Sequence, residues 1–367
     1  MMKIPQFMPL VGEPEFEAIK KCFEDNWITE GPQAKIFKEK LLKLTGAKYG
    51  EFAPNGTLAI YLALKAAGVK PGDEVLVPDF TFIASATSVV MIGATPVFVD
   101  VDENLQIDVS KCKEKLTNKT TAIMTAHMYG TCGDMPSVVE FAKENGLIVI
   151  EDAAQALGIT WNGQHAGTFG DVATFSFFAD KTITCGEGGF VITNDEKIHR
   201  ELIYLRNQGR INRGTFVHPE IGYNFRITDI HAAMGNVQFD KLDWIIGRKL
   251  EIFQAYKKRL ENNKRFDFFG PMDGSTFIPF RVCLVDKTRN AAEVMEKLKE
   301  NGVEPRTFFY PMHRQPAFTE IVAEQGYSKE DFATSNRMYN SGICLPTFLQ
   351  ITDEQMDYIC DIINNNF

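Results

Sequence analysis

From Gly56 to Val101 the chain alternates between two hydrophobic rhythms. Residues 58–67 are rich in Ala and Leu and close on Gly68, which reads as a helix with its C-terminal stop. Residues 74–78 form a short apolar run of strand type, 84–92 a second Ala-rich helix, and 95–99 another strand. The cycle repeats with a strand at 121–127, a helix at 137–144 and a strand at 147–151. Short apolar strands alternating with helices predict an α/β fold, its mostly parallel sheet covered by helices on both faces.

Past Glu151 the rhythm changes. Residues 171–177 and 189–193 read as strands with too little chain between them for a crossover helix, so a loop or hairpin carrying Lys181 is expected to project from the sheet. Residues 227–262 pattern as one long amphipathic helix, of the kind that bridges two lobes. Beyond it come strands at 277–284 and 304–307 and helices at 291–301 and 353–364. These predict a large domain over 1–245, N-terminal segment included, and a smaller C-terminal α/β domain over 246–367. Two domains suit a chain of 367 residues.

Composition narrows the classes. Hydrophobic content of 44% with 24% charged residues is that of a globular protein. A net charge of −9, with basic residues scattered among acidic ones, gives no basic face and argues against a nucleic-acid partner. The seven cysteines at 22, 112, 132, 185, 283, 344 and 360 form no CxxC pair and no zinc-type spacing, so reduced thiols and no metal are expected. MMKIPQFMPL lacks the apolar core of a signal peptide, and no run of about 18 apolar residues suggests a membrane span. A cytoplasmic location is the expectation.

Three clusters carry chemistry. Pro54-Asn55-Gly56-Thr57 stands just before a predicted helix, where backbone N–H groups, a glycine and a hydroxyl can make an anion site; an ordinary N-cap by Asn55 or Thr57 accounts for it as well. Asp152 ends an apolar strand, where open α/β sheets bind ligands, with Gln155 three residues on; alone, it serves equally to cap a helix. Lys181 lies in an aromatic, glycine-rich segment ending Gly186-Glu187-Gly188-Gly189. Burial there would lower its pKa and favour the neutral amine of Schiff-base chemistry, while the glycines would supply unusual backbone angles and room. An ion pair with Asp180 or Glu187 is the plainer reading of that lysine alone.

Together the three match the needs of pyridoxal phosphate: a lysine for the aldehyde, an acid for the ring nitrogen and an anion site for the phosphate. Lys181 would then serve as general base. Neither GxGxxG nor GxxxxGK[ST] competes.

The ordered series Gly31-Pro32, Asn55-Gly56-Thr57, 78–85, 151–155, Gly170-Asp171, 175–177, Lys181, 186–189 and 222–226 resembles the DegT/DnrJ/EryC1/StrS sugar aminotransferases over nearly the whole chain. That resemblance implies the fold type I of PLP-dependent transferases. It implies Lys181 as the Schiff-base lysine, Asp152 as partner of the ring nitrogen, Gln155 against the ring hydroxyl and Phe82 stacked on the ring. Gly56, Thr57 and Ser176 would hold the phosphate, joined by Asn224 from the neighbouring subunit of a homodimer with a shared active site. Lysine rather than histidine at 181 favours transamination over dehydration.

Residues 175–189 and 306–313 look like the perosamine-synthase branch, which aminates C4 of a GDP-linked 4-keto-6-deoxy sugar with glutamate. Asp180 stands where that branch usually has asparagine, and Cys185 where it usually has threonine. Both flank the lysine and could retune the acceptor. Tyr310, His313 and Arg314 are candidates to meet substrate, His313 equally a packed residue after Pro311. Two alternatives stay open: an acceptor that is a small phosphorylated ketone or aldehyde such as a triose phosphate, and a non-catalytic regulator on the same fold.

Overall fold

The protein is described from a computed structural model covering residues 2–210, 214 and 216–367. Its main sheet has seven strands: β1 (Tyr49–Ala53), β2 (Glu74–Pro78), β3 (Thr95–Val99), β4 (Thr120–Ala126), β5 (Ile148–Asp152), β8 (Val172–Ser176) and β9 (Gly189–Thr193). A small hairpin, β6 (Thr160–Trp161) and β7 (Gln164–His165), lies apart from it. The order is β1-β9-β8-β5-β4-β2-β3, and only β9 runs against the rest.

Both faces are covered, as the apolar strands require. Phe37 and Leu41 of helix Pro32–Thr45, Val138 and Phe141 of Met135–Asn145, and Ala232 of Asp229–Asp240 pack on one face. Helices Gly56–Ala66, Ile83–Met91 and Glu196–Arg206 cover the other with Leu62, Val89 and Leu202. The expected hairpin is β8–β9, paired antiparallel within the sheet, and its connection carries Lys181.

A second sheet, β10 (Phe266–Phe268), β11 (Val282–Asp286), β13 (Gly342–Leu345) and β12 (Arg306–Thr307), has its own core with helices Ala291–Glu300 and Asp353–Asn366. Three expectations change here. The long helix is two, Asp229–Asp240 and Leu242–Arg259, parted at Lys241, which leaves helical angles and pairs with Glu15 at 2.6 Å. The first segment belongs to the main sheet; the second crosses over and buries Ile252, Phe253 and Tyr256 in the second core. The chain's first residues pack into the second core, where Ile4 makes an isolated bridge to Val303, while helix Glu13–Glu24 lies against Asp229–Asp240.

The third change bears on function. The strand expected at 277–284 begins only at Val282, because Pro279 has no N–H for a ladder. Ile278 and Phe280 donate instead to the carbonyls of Gly130 and Tyr129 at 3.1 and 3.4 Å. The segment thereby leaves the sheet and carries Phe280 and Arg281 over the C-terminal ends of β4 and β5.

Candidate active site

A cavity of about 500 Å³ opens at those strand ends, within the range of small-ligand sites. Its lining includes Asn55, Gly56, Thr57, Phe82, Asp152, Gln155, Ser176 and Lys181, which gathers all three sequence clusters around one space. Arg281, Arg306 and Phe309 close it from the second sheet's side.

At one corner, Asn55 caps the helix Gly56–Ala66, its Oδ1 accepting from the Leu58 N–H at 2.9 Å. First-turn N–H groups have no acceptor within their helix, so those of Gly56 and Thr57 remain for an anion. Cap and candidate anion site are therefore the same turn. A Cβ on Gly56 would lie 2.9 Å from that of Ser176, so the helix start and the end of β8 meet with nothing between them. At the opposite side Asp152 is nearly buried. Its Oδ2 accepts from Ser85 Oγ at 2.7 Å and its Oδ1 from the Ala154 N–H at 3.2 Å, which fixes the carboxylate. Gln155 Oε1 accepts from the Tyr129 N–H at 2.9 Å, so its NH2 is the end with hydrogens to offer a ligand. Tyr129 itself holds φ at 51°, a left-handed conformation costly for a bulky residue, and its hydroxyl accepts from the Phe309 N–H.

Lys181 lines this cavity, partly buried with 16% of its side chain exposed, its Nζ 4.7 Å from the centre of the Phe280 ring. Burial pushes its pKa down, opposed by Asp180 and Asp152, with Arg281 adding to the decrease. The ion pair with Asp180 is present, at 3.7 Å, but Asp180 is held chiefly by Arg281, whose Nη2 donates to it at 2.7 Å. These groups fit pyridoxal phosphate: an amine whose charged form burial disfavours, a fixed carboxylate and a free helix N-terminus share one space, and the half-exposed Phe82 ring lines it.

The remaining candidates lie outside the lining. His313 is packed: its N–H and ring Nδ1 meet Asp79 at 2.7 and 2.8 Å, and its ring stacks on Phe332. Tyr310 and Arg314 cluster with Tyr339. Asn224 is exposed, bonded to Arg226 at 2.7 Å and bridged to Asn207. Cys185 faces away from the cavity into the sheet's core, so it does not touch the space where an acceptor would lie. Of the three loop glycines only Gly186 needs a left-handed φ, at 82°. Sequence reasoning missed Arg281, Tyr129 and Phe309 as site groups.

The DegT/DnrJ/EryC1/StrS aminotransferase family profile matches residues 9–364. The chain is 39% identical to a GDP-perosamine synthase of Escherichia coli O157:H7 over 367 residues, covering 99% of this chain and 98% of that protein. It is 36% identical to a GDP-perosamine synthase of Vibrio cholerae, covering 99% of each. Among solved structures, the aminotransferase TlmJ of Streptoalloteichus hindustanus superposes with a TM-score of 0.91 at 26% identity, covering 99% of this chain and 98% of that one.

Proposed function

The chain belongs to the DegT/DnrJ/EryC1/StrS aminotransferase family, and from that premise we propose that it aminates C4 of a GDP-linked 4-keto-6-deoxy sugar with glutamate as donor. It is a PLP-dependent aminotransferase acting on a nucleotide-linked keto-sugar. The observation that carries the reading is one cavity lined by a partly buried Lys181, a fixed Asp152 and the Asn55-Gly56-Thr57 turn. Two GDP-perosamine synthases aligned end to end with this chain support the nucleotide-sugar acceptor over the triose-phosphate alternative.

When bound, pyridoxal phosphate supplies an aldehyde that carries the amino group and a ring that stores an electron pair. Gly56, Thr57 and Ser176 would hold its phosphate, and Phe82 would stack on its ring. Gln155 donates to the ring hydroxyl. Asp152, locked by Ser85 and the Ala154 N–H, keeps a proton on the ring nitrogen. Lys181 would hold the aldehyde, and its Nζ would take and return a proton as general base. A neutral amine is needed for that role, and burial favours it. Tyr310 and Arg314, beyond the lining, would meet the distal part of the substrate, with His313 packed behind them on Asp79.

We place Asn224 in the site of a partner subunit. Phe216 and Ile221, close before it in sequence, are 87% and 84% exposed, apolar surface that a second copy would cover. Among the described residues no helix is long and apolar enough to cross a membrane, and the cytoplasm is the location we propose. The test is incubation of the purified protein with glutamate and a GDP-4-keto-6-deoxy sugar, read by mass spectrometry. An amino sugar is expected; amination of a triose phosphate with none of the nucleotide sugar would overturn the acceptor.

A further inference from the structure

Asp180 has two carboxylate oxygens in unlike surroundings. Oδ2 accepts from Arg281 Nη2 at 2.7 Å, which fixes the side chain. Oδ1 is buried, has no hydrogen-bond partner, and stands 3.7 Å from Lys181 Nζ. A carboxylate oxygen out of water and without a hydrogen bond is costly, and it is retained here beside the one amine the site depends on. An asparagine in its place would keep an acceptor for Arg281 and lose only the charge.

We propose that Asp180 is a positioning residue that stabilises the protonated form of Lys181 during proton transfer, while Arg281 aims its carboxylate and limits its pull. This inference rests on Lys181 being the cofactor lysine. The proton stays on Lys181 Nζ, and Asp180 supplies only a counter-charge and an acceptor. The balance is visible in the groups that face the amine from each element. Asp180 lies on its own loop and Asp152 at the end of β5; Arg281 comes from the segment before β11. Lys249 of the helix Leu242–Arg259 stands behind, its Nζ donating to the carbonyls of Pro279 and Phe280. Two carboxylates offset two cations, so Lys181 can take and release a proton. Without Asp180 the amine would face two cations and one carboxylate, and its ammonium form would be disfavoured.

The test compares Asp180→Asn with wild type as PLP-loaded, full-length protein. The absorbance of the lysine-bound cofactor and kcat are each followed against pH. An opposite charge at this distance shifts a pKa by about one unit or more, so both the spectral midpoint and the acid limb of kcat should fall by about one pH unit in the variant. Arg281→Gln, which frees the carboxylate from its guanidinium, should move the spectral midpoint upward and serves if Asp180→Asn does not fold. A folded Asp180→Asn with both midpoints unmoved would overturn the proposal, as would Arg281→Gln shifting in the same direction as Asp180→Asn. If wild type binds no cofactor at Lys181, the functional reading fails first, and the two failures are distinct.

Discussion

Gly189→Ala should loosen the anion corner from a distance. Gly189 is held in two ladders, opposite Ala53 of β1 and Ser176 of β8, so its Cα cannot retreat. A methyl there would lie 2.3 Å from the carbonyl oxygen of Asn55 and 2.9 Å from Ala59 Cβ. Relaxed contacts are longer, so the start of helix Gly56–Ala66 must move by about 1 Å. Such overpacking costs about 1–3 kcal/mol of stability. It also pulls the Gly56 and Thr57 N–H groups from the phosphate; losing one charge-assisted hydrogen bond, about 1.5–3 kcal/mol, weakens PLP binding by about 10–100-fold. Gly186→Ala is the control. It has φ of 82° but nothing within 4 Å, so it should cost about 1–2 kcal/mol of stability and leave cofactor affinity unchanged. Gly188→Ala would touch Phe177 at 3.3 Å and should be mild in both respects. The assays are absorbance titration with PLP and thermal melting of each variant. Wild-type affinity in Gly189→Ala, or an equal loss in Gly186→Ala, would refute the reasoning.

Three further outcomes follow from the same geometry. Ser85→Ala removes the 2.7 Å bond to Asp152 and should lower kcat by about 10-fold or more without unfolding the protein, as steady-state kinetics would show. Burial pushes the Lys249 ammonium down to about 8 from a usual 10.5, so the unfolded chain binds the extra proton between those values and stability from this group rises with pH across that window. Urea unfolding of wild type against Lys249→Met at pH 7.5 and 10.5 should swing toward wild type by up to about 3 kcal/mol; a constant difference would contradict it. His313→Ala leaves the buried Asp79 without its ring partner and should cost about 1–3 kcal/mol in melting experiments while leaving PLP affinity unchanged.

The parts of the site legible in the sequence are those set by local pattern. Alternating apolar runs put Asp152 at the end of a buried strand, and short spacing put Lys181 in the β8–β9 connection. What was not legible depends on chain distant in sequence. Arg281 reaches Asp180 from 101 residues away only because Pro279 interrupts a run that reads as strand. The Tyr129 N–H that orients Gln155 is a backbone group, invisible to residue type. Cys185 adjoins the glycine loop in sequence, yet its side chain points into the core beside Phe37 and Phe177. Ile4 pairs with Val303 across almost the whole chain. Asn224 marks the limit of a single chain, since its proposed role needs a second copy.

Lys181 has a competitor, and that makes the central claim sharp. Lys249 also lies near the cavity with its pKa pushed down, so that shift alone would not choose between them. Its Nζ, however, is directed at the carbonyls of Pro279 and Phe280, whereas Lys181 lines the cavity. The decisive measurement is borohydride reduction of the PLP-loaded protein followed by peptide mass mapping. The phosphopyridoxyl group is expected on Lys181 alone; its appearance on Lys249, or on no lysine, would contradict the assignment.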